Sequence, residues 1–320
     1  MPHITDPPPE NVAEELRALR ADLRAKIPPK HLDHNILIAT WNIRAFGDLT
    51  EKWITEEDDS PKRNLHALRC IAQIVSQFDV IALQEVRGNL KCLRHMLKLL
   101  GSNWSFILTD VTKGDQGNDE RMAFLFDTRK VSLSGLACEL VVPESDDIES
   151  NAFNKQFART PYAVAFQSAG HTFILVTLHV LYGKSPEERV PELKAIAEWL
   201  DDWARDANAW DHNLIALGDF NIDRMDDPLY KAFTSTGLHT PADLNAIPRT
   251  IFARPEDPET AKFYDQIAWF TDGEGKPRLS MQYSSGGSYD FTDIVMKSLS
   301  KQKLSWRMSD HYPLWVEFLV

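Results

Sequence analysis

From residue 35 to the end, short apolar runs punctuate the chain. They read ILIATW (36–41), VIALQEV (80–86), WSFILTDV (104–111), MAFLFD (122–127), YAVAFQ (162–167), FILVTLHV (173–180), NLIALGDF (213–220), QIAWF (266–270) and YPLWVEFLV (312–320). Val, Ile, Phe and Trp dominate them, the residue types that fit a pleated surface, and this predicts strands. Several are apolar at nearly every position rather than at alternate ones, as strands covered on both faces are. A second periodicity lies between them. In NLHALRCIAQIVSQF (64–78), Leu68, Ile71, Ile74 and Val75 recur at helical spacing. NLKCLRHMLKLLG (89–101) ends on a glycine stop, and PEERVPELKAIAEWLDDWARDA (186–207) sets Leu193, Ile196, Ala197 and Leu200 on one side. These patterns predict three helices. Doubly covered strands and one-faced helices together predict an α/β fold, a four-layer sandwich of two mostly antiparallel sheets flanked by helices.

The first 34 residues follow another rule. Pro7-Pro8-Pro9 and Pro28-Pro29 bracket a charged stretch in which Val12, Leu16, Leu19 and Leu23 form one apolar stripe. This predicts an N-terminal accessory helix with linkers over 1–34, either packed on the body or offered to a partner, and a catalytic domain over 35–320. The stretches GDLTEKWITEEDDSPKR, TKGDQGNDE, PESDDIESNAFN and TDGEGKP are polar and turn-rich, and predict surface loops.

Composition narrows the classes. The 320 residues are 43% hydrophobic, enough for a substantial core, and carry a formal net charge of −12. Such a balance argues against broad electrostatic capture of nucleic acid, yet permits an enzyme that grips a few phosphates with a metal ion's help. Cys70, Cys92 and Cys138 lie far apart, without metal-ligand spacing, and read as buried thiols of a reducing compartment. The N-terminus lacks the apolar core of a signal peptide, and no run approaches the length of a membrane span. The expected location is cytoplasmic.

The candidate chemistry gathers at strand ends, where a rigid scaffold can fix distances. ILIATW leads into Asn42, VIAL into Gln84-Glu85, FILVTL into His179 and NLIALG into Asp219-Phe220-Asn221. Tyr264-Asp265 leads into QIAWF, and Asp310-His311 stands at the mouth of the last strand. Singly, each is an ordinary turn or strand-end residue. Their repetition, with almost no Lys or Arg among them, is what chance leaves unexplained. Hard oxygen ligands such as Glu85 and Asp310 suit Mg²⁺, which prefers one or two carboxylates plus substrate phosphate. A histidine with a carboxylate partner can take a proton from water or give one to a leaving oxygen. Zinc fits less well, for want of compact His/Cys spacing.

In the order WN (Trp41-Asn42), QE (Gln84-Glu85), LH (Leu178-His179), GDFN (218–221), YD (Tyr264-Asp265) and SDHYP (309–313), the chain resembles the endonuclease/exonuclease/phosphatase superfamily. GDFN and SDHYP are the specific parts. ERMAFLF (120–126) and ARTPYAVAF (158–166) are similar to segments of its type-I deoxyribonuclease branch. The resemblance implies the same two-sheet sandwich and a Mg²⁺-dependent phosphodiesterase, with Mn²⁺ as a possible substitute. It implies two catalytic His–carboxylate pairs, His179 with Glu120 and His311 with Asp265, one acting as base and the other as acid. Glu85 and Asp310 would hold the metal, with Asn42 nearby. Asp219 and Asn221 would orient the water or the scissile phosphate, and Arg159 and Tyr264 would contact substrate. DNA is the leading substrate expectation; a small phosphoester or lipid head group, such as an inositol phosphate, sphingomyelin or a nucleotide, is the alternative. The chain departs from that branch in lacking its cysteine pair, in the insertion between Phe46 and Asn64, and in the acidic PESDDIE loop.

Overall fold

Every residue of ILIATW is buried. Successive side chains of a strand point to opposite faces, so such a run needs cover on both sides. Ile36 and Ile38 join Val80, Phe124, Phe166, Phe173, Ile215 and Trp269 in an apolar layer between two sheets. Leu37, Ala39, Trp41 and Ile43 face the other way, into a layer shared with helices.

The fold is that of a computed structural model, which describes residues 2–112, 118–140, 159–183, 185–206, 211, 213–272 and 274–320. The PESDDIE loop lies outside them. The strands are β1 (Asn35–Phe46), β2 (Val80–Arg87), β3 (Trp104–Leu108), β4 (Glu120–Asp127), β5 (Ser132–Glu139), β6 (Tyr162–Ser168), β7 (His171–His179), β8 (Leu214–Asp219), β9 (Leu238–His239), β10 (Asp265–Phe270), β11 (Gln282–Ser288) and β12 (Leu314–Leu319). The α-helices are α1 (Glu10–Lys26), α2 (Leu65–Val75), α3 (Lys91–Leu100), α4 (Pro186–Arg205), α5 (Pro228–Phe233) and α6 (Lys301–Ser305).

One sheet runs β11-β12-β1-β2-β4-β3 and the other β5-β6-β7-β8-β10-β9. Each is antiparallel except at its centre, where β1 pairs parallel with β2 and β7 with β8. Helices α1, α2 and α3 pack outside the first sheet, and α4 and α5 outside the second. The four-layer sandwich expected from the strand and helix patterns is therefore the fold observed.

The two parallel pairs matter for function. A parallel pair puts two carboxyl ends side by side, so Asn42 stands opposite Gln84, and His179 opposite Asp219. The antiparallel neighbour β10 adds Asp265, also opposite Asp219.

Local differences from the sequence expectation have local causes. The strand predicted at 36–41 runs on through Asn42 to Phe46, and the last strand is shorter than 312–320. Strands β5 and β11 escaped the pattern. Both are edge strands, paired on one side; QYSSGGS is largely polar, and SLSGLACE mixes Ser, Gly and Glu with apolar residues that include the exposed Leu133, so neither forms a run of the buried kind. The 47–63 stretch, expected as surface loop, is pinned to the body instead. Leu49 is buried, and the guanidinium of Arg63 donates to the carbonyls of Arg44, Ala45, Arg307 and Met308 at 2.6–3.0 Å.

On α1, Val12, Leu19 and Leu23 are buried, and Gln73 of α2 donates to the Leu16 carbonyl. The predicted stripe therefore covers the body. No helix among the described residues is long and apolar enough to cross a membrane, and all three cysteines are free thiols; Cys70 and Cys92 are buried as expected, whereas Cys138, on the edge strand β5, is only partly so.

Beyond α1, Lys30 ties the chain to the first sheet through Asp127 at 2.9 Å and the Phe78 carbonyl at 3.0 Å. Burial disfavours the charge on Asp127, but Arg129 and Lys30 outweigh it and hold the carboxyl well below the usual carboxylate range. A depressed carboxyl stabilises the fold above its unfolded pKa of about 4, and that contribution fades as pH falls below it. Asp127→Asn is expected to cost about 1.5–3 kcal/mol at neutral pH. It should also flatten the acid limb of stability, read by urea unfolding from neutral pH downward. An acid limb parallel to wild type would show that Asp127 does not carry it.

Candidate active site

The strand ends of both sheets converge on one carboxylate. Asp219 ends β8 and is almost wholly buried. Its Oδ2 accepts a hydrogen bond from Asn42 Nδ2, reaching across from the first sheet, at 2.8 Å. Its Oδ1 accepts from the backbone N–H of Asn221 at 2.9 Å. The Nε2 atoms of His179 and His311 lie 3.7 and 3.9 Å from the same Oδ2. Burial alone would raise the Asp219 carboxyl, but His311, His179, Asn42 and the Asn221 N–H together hold it below its ordinary value.

Behind each imidazole stands a carboxylate. His311 Nδ1 bonds Asp265 Oδ2 at 2.7 Å. His179 Nδ1 lies 3.2 Å from Glu120 Oε2, which Arg159 Nε approaches at 2.7 Å. Both rings thus turn Nδ1 to a buried acid and Nε2 to the common centre. On His311, burial works against the charge, but Asp265, then Asp219 and Asp310, outweigh it and push the pKa up to about 10. The Tyr264 ring lies 5.6 Å from that of His311. Asn221 has its amide nitrogen committed to the Val180 carbonyl at 2.6 Å.

Three oxygen-bearing residues border this centre. Glu85 sits in a bulge of β2 with φ +57°, a left-handed conformation that turns its carboxylate out of the sheet's regular alternation. Its Oε2 accepts from the Ala45 N–H at 2.8 Å and lies 3.8 Å from Arg87. Asp310 is partly exposed, 3.6 Å from Arg44. Asn42 Oδ1 is buried with no hydrogen-bond partner, an orphaned acceptor at this spot. A buried acceptor left unpaired is costly unless another donor or a cation meets it. Hard oxygens of this kind fit a divalent cation of the Mg²⁺ type.

The endonuclease/exonuclease/phosphatase family model matches residues 39–294. The chain belongs to that family. It is accordingly a hydrolase of phosphoester bonds, in a family that generally works with a divalent metal. A deoxyribonuclease of Thioalkalivibrio sp. (strain K90mix) is 26% identical over 293 residues, covering 89% of this chain and 71% of the relative. Deoxyribonuclease-1 of Canis lupus familiaris is 25% identical over 288 residues, covering 87% and 90%. Among solved structures, a mannosyl-6-phosphatase of Bacteroides thetaiotaomicron superposes with a TM-score of 0.59 at 20% identity, covering 89% of this chain and 100% of that one. At that identity the likeness concerns the fold alone.

Family motifs led to the residues at the strand ends but not to those that hold them. Ser309 was quoted only as part of SDHYP. Its hydroxyl donates to the Asn42 carbonyl at 2.6 Å and accepts from the N–H groups of Arg44 and His311. Arg189 of α4 donates to the Asn221 carbonyl and pairs with Asp223. Glu192, also on α4, is pushed up to about 7 by burial, against the Leu181 N–H, Arg159 and His179. Neither residue stands out in the sequence, where the helix is marked only by Leu193, Ile196, Ala197 and Leu200.

In the GDFN segment, Gly218 is required by space. A Cβ there would stand 2.1 Å from the Leu178 carbonyl oxygen, at φ +145°. Gly218→Ala must therefore push β8 away from β7 and take Asp219 with it. We expect a loss of about 4 kcal/mol or more. Gly237→Ala, at φ +101° with nothing within 4 Å, should cost only backbone strain, about 1–3 kcal/mol. Denaturant unfolding of both variants checks the contrast, and equal losses would refute the close-approach argument.

Proposed function

We propose that this chain is a Mg²⁺-dependent endonuclease that hydrolyses phosphodiester bonds of DNA. The observation that carries the reading is the pair of imidazoles whose Nε2 atoms both face Asp219 Oδ2, each backed at Nδ1 by a buried carboxylate. Hydrolysis of a phosphodiester needs one proton removed from the attacking water and one delivered to the leaving oxygen. Two carboxylate-backed imidazoles about one carboxylate oxygen supply both transfers, with Asp219 holding the water or the phosphate between them.

Glu85, Asp310 and the orphaned Asn42 Oδ1 would hold the cation. When bound, it polarises a phosphoryl oxygen and offsets the charge that builds up on it. Against the burial that would raise it, His179 first and then Arg159 and Arg87 hold the Glu120 carboxyl below its ordinary value; Arg159, with Arg44 and Arg87 at the rim, supplies positive charge for a phosphate. Tyr264, packed by His311, would bound the substrate on that side.

DNA is favoured as substrate because both deoxyribonuclease relatives align over most of the chain. A small soluble phosphoester is the second reading, favoured by the net charge of −12, which weakens long-range attraction of a polyanion. On either reading the thiols fit a reducing, cytoplasmic setting.

Nicking of supercoiled plasmid by the purified protein is expected with Mg²⁺, and loss of nicking with EDTA or in Asp310→Ala. His179→Ala and His311→Ala should each lower the rate roughly 10²–10⁴-fold. Full activity in either histidine variant would remove that residue from the mechanism. Intact plasmid, from protein shown to be folded, would transfer the assignment to small phosphoesters.

A further inference from the structure

At the seam between α1 and α2, apart from the strand ends, three side chains of different chemistry meet. His66 and Cys70 lie four residues apart on α2, so they stack one turn apart on one face. Glu15 reaches over from α1. Its Oε1 lies 2.6 Å from His66 Nε2 and 3.8 Å from Cys70 Sγ. One ligand atom from each residue falls within 4.8 Å of the other two, and among the described residues this is the only such group of three or more His, Cys, Asp or Glu. Glu15 Oε2 is meanwhile fixed by the Met296 N–H at 3.0 Å. The Cys70 thiol is wholly buried, whereas the His66 and Glu15 side chains keep 12% and 20% of their exposure, so the cluster is open to solvent from their side.

An ion pair between Glu15 and His66 would by itself dock α1. The Cys70 thiol adds a long S–H···O hydrogen bond to the same oxygen, at 3.8 Å. A buried cysteine usually behaves as a small apolar group, yet here it turns toward the same carboxylate oxygen that the imidazole meets.

We propose that Glu15, His66 and Cys70 form a second metal site, which takes a borderline divalent ion of the Zn²⁺ class and clips the N-terminal helix to the body. One imidazole nitrogen, one thiolate and one carboxylate oxygen are the donors zinc accepts, whereas Mg²⁺ takes oxygen. Zinc bonds of about 2.0–2.3 Å at tetrahedral angles separate ligands by roughly 3.3–3.7 Å. The ion therefore spreads the 2.6 Å Glu15–His66 contact by roughly 0.7–1 Å and leaves the sulfur near its present 3.8 Å from the Glu15 oxygen, and water fills the fourth position from the open side. On binding, the Cys70 thiol releases its proton to solvent and the thiolate bonds the ion, with no change of oxidation state.

Cobalt(II) tests this in the full chain after chelator treatment. A thiolate-to-cobalt charge-transfer band should grow in the near ultraviolet and saturate at one equivalent. Zn²⁺ should displace it, and Cys70→Ala should abolish it. The strand-end site contains no cysteine and cannot produce the band. In parallel, Zn²⁺ at a hundredfold excess over Kd should raise the wild-type Tm by about 5 °C, an increment that Cys70→Ala loses. His66→Gln, at a partly exposed position, gives a second variant should Cys70→Ala fail to fold; it should weaken cobalt binding at least tenfold. Absence of the band in wild type, its persistence in Cys70→Ala, or a Tm rise that the variants retain in full overturns the proposal.

Discussion

A carboxylate buried as deeply as Asp219 keeps its charge only if the surroundings answer it, and here the answer comes from both sheets. Asn42 donates from the end of β1, Asn221 from the turn after β8, and the two imidazoles face it from the ends of β7 and the β12 approach. None of these groups could stay in place if the sheets slid against each other. A second buried hydrogen bond, Gln84 Nε2 to Thr177 Oγ1 at 2.9 Å, joins the same two sheets further in. The apolar layer supplies the bulk of the sheet-to-sheet adhesion, and these polar links select one register of the two sheets over its neighbours.

That constraint accounts for three of the irregular backbone positions. Ala45, Glu85 and Asn221 all adopt positive φ, and all lie beside the converging ends. Such conformations cost free energy and persist where neighbours over-determine them. Ala45 and Glu85 hold each other by a backbone-to-carboxylate hydrogen bond, and Arg63 ties the Ala45 carbonyl to the segment before Asp310. The inserted 47–63 stretch thus reaches the site from behind, through a buried guanidinium.

A fold of this kind leaves substrate choice to its rim. On the proposed reading, the centre moves two protons about a phosphoryl group whichever alcohol leaves. What lies beyond it, including Arg44 stacked 3.7 Å over the half-exposed Trp306 beside Asp310, decides whether a polymer or a small ester fits.

The sequence by itself determined the strands buried on both faces, the four longer helices, the class of fold and the order of the motifs at strand ends. Each of these is a local signal: apolar residues in a run, at helical spacing, or just before a polar pair. It could not reveal β5 or β11, whose one-sided pairing at a sheet edge calls for no apolar run. Nor could it show Arg63 at work under what reads as a loop, because the value of that side chain lies in carbonyls 18 to 245 residues away. Only the tertiary structure decided that Glu120 and His179, 59 positions apart on different sheets, stand 3.2 Å from one another. It alone set both imidazoles to face one oxygen of Asp219. Pairings across sheets depend on register and packing over the whole sandwich, and a one-residue slip would turn those side chains to opposite faces.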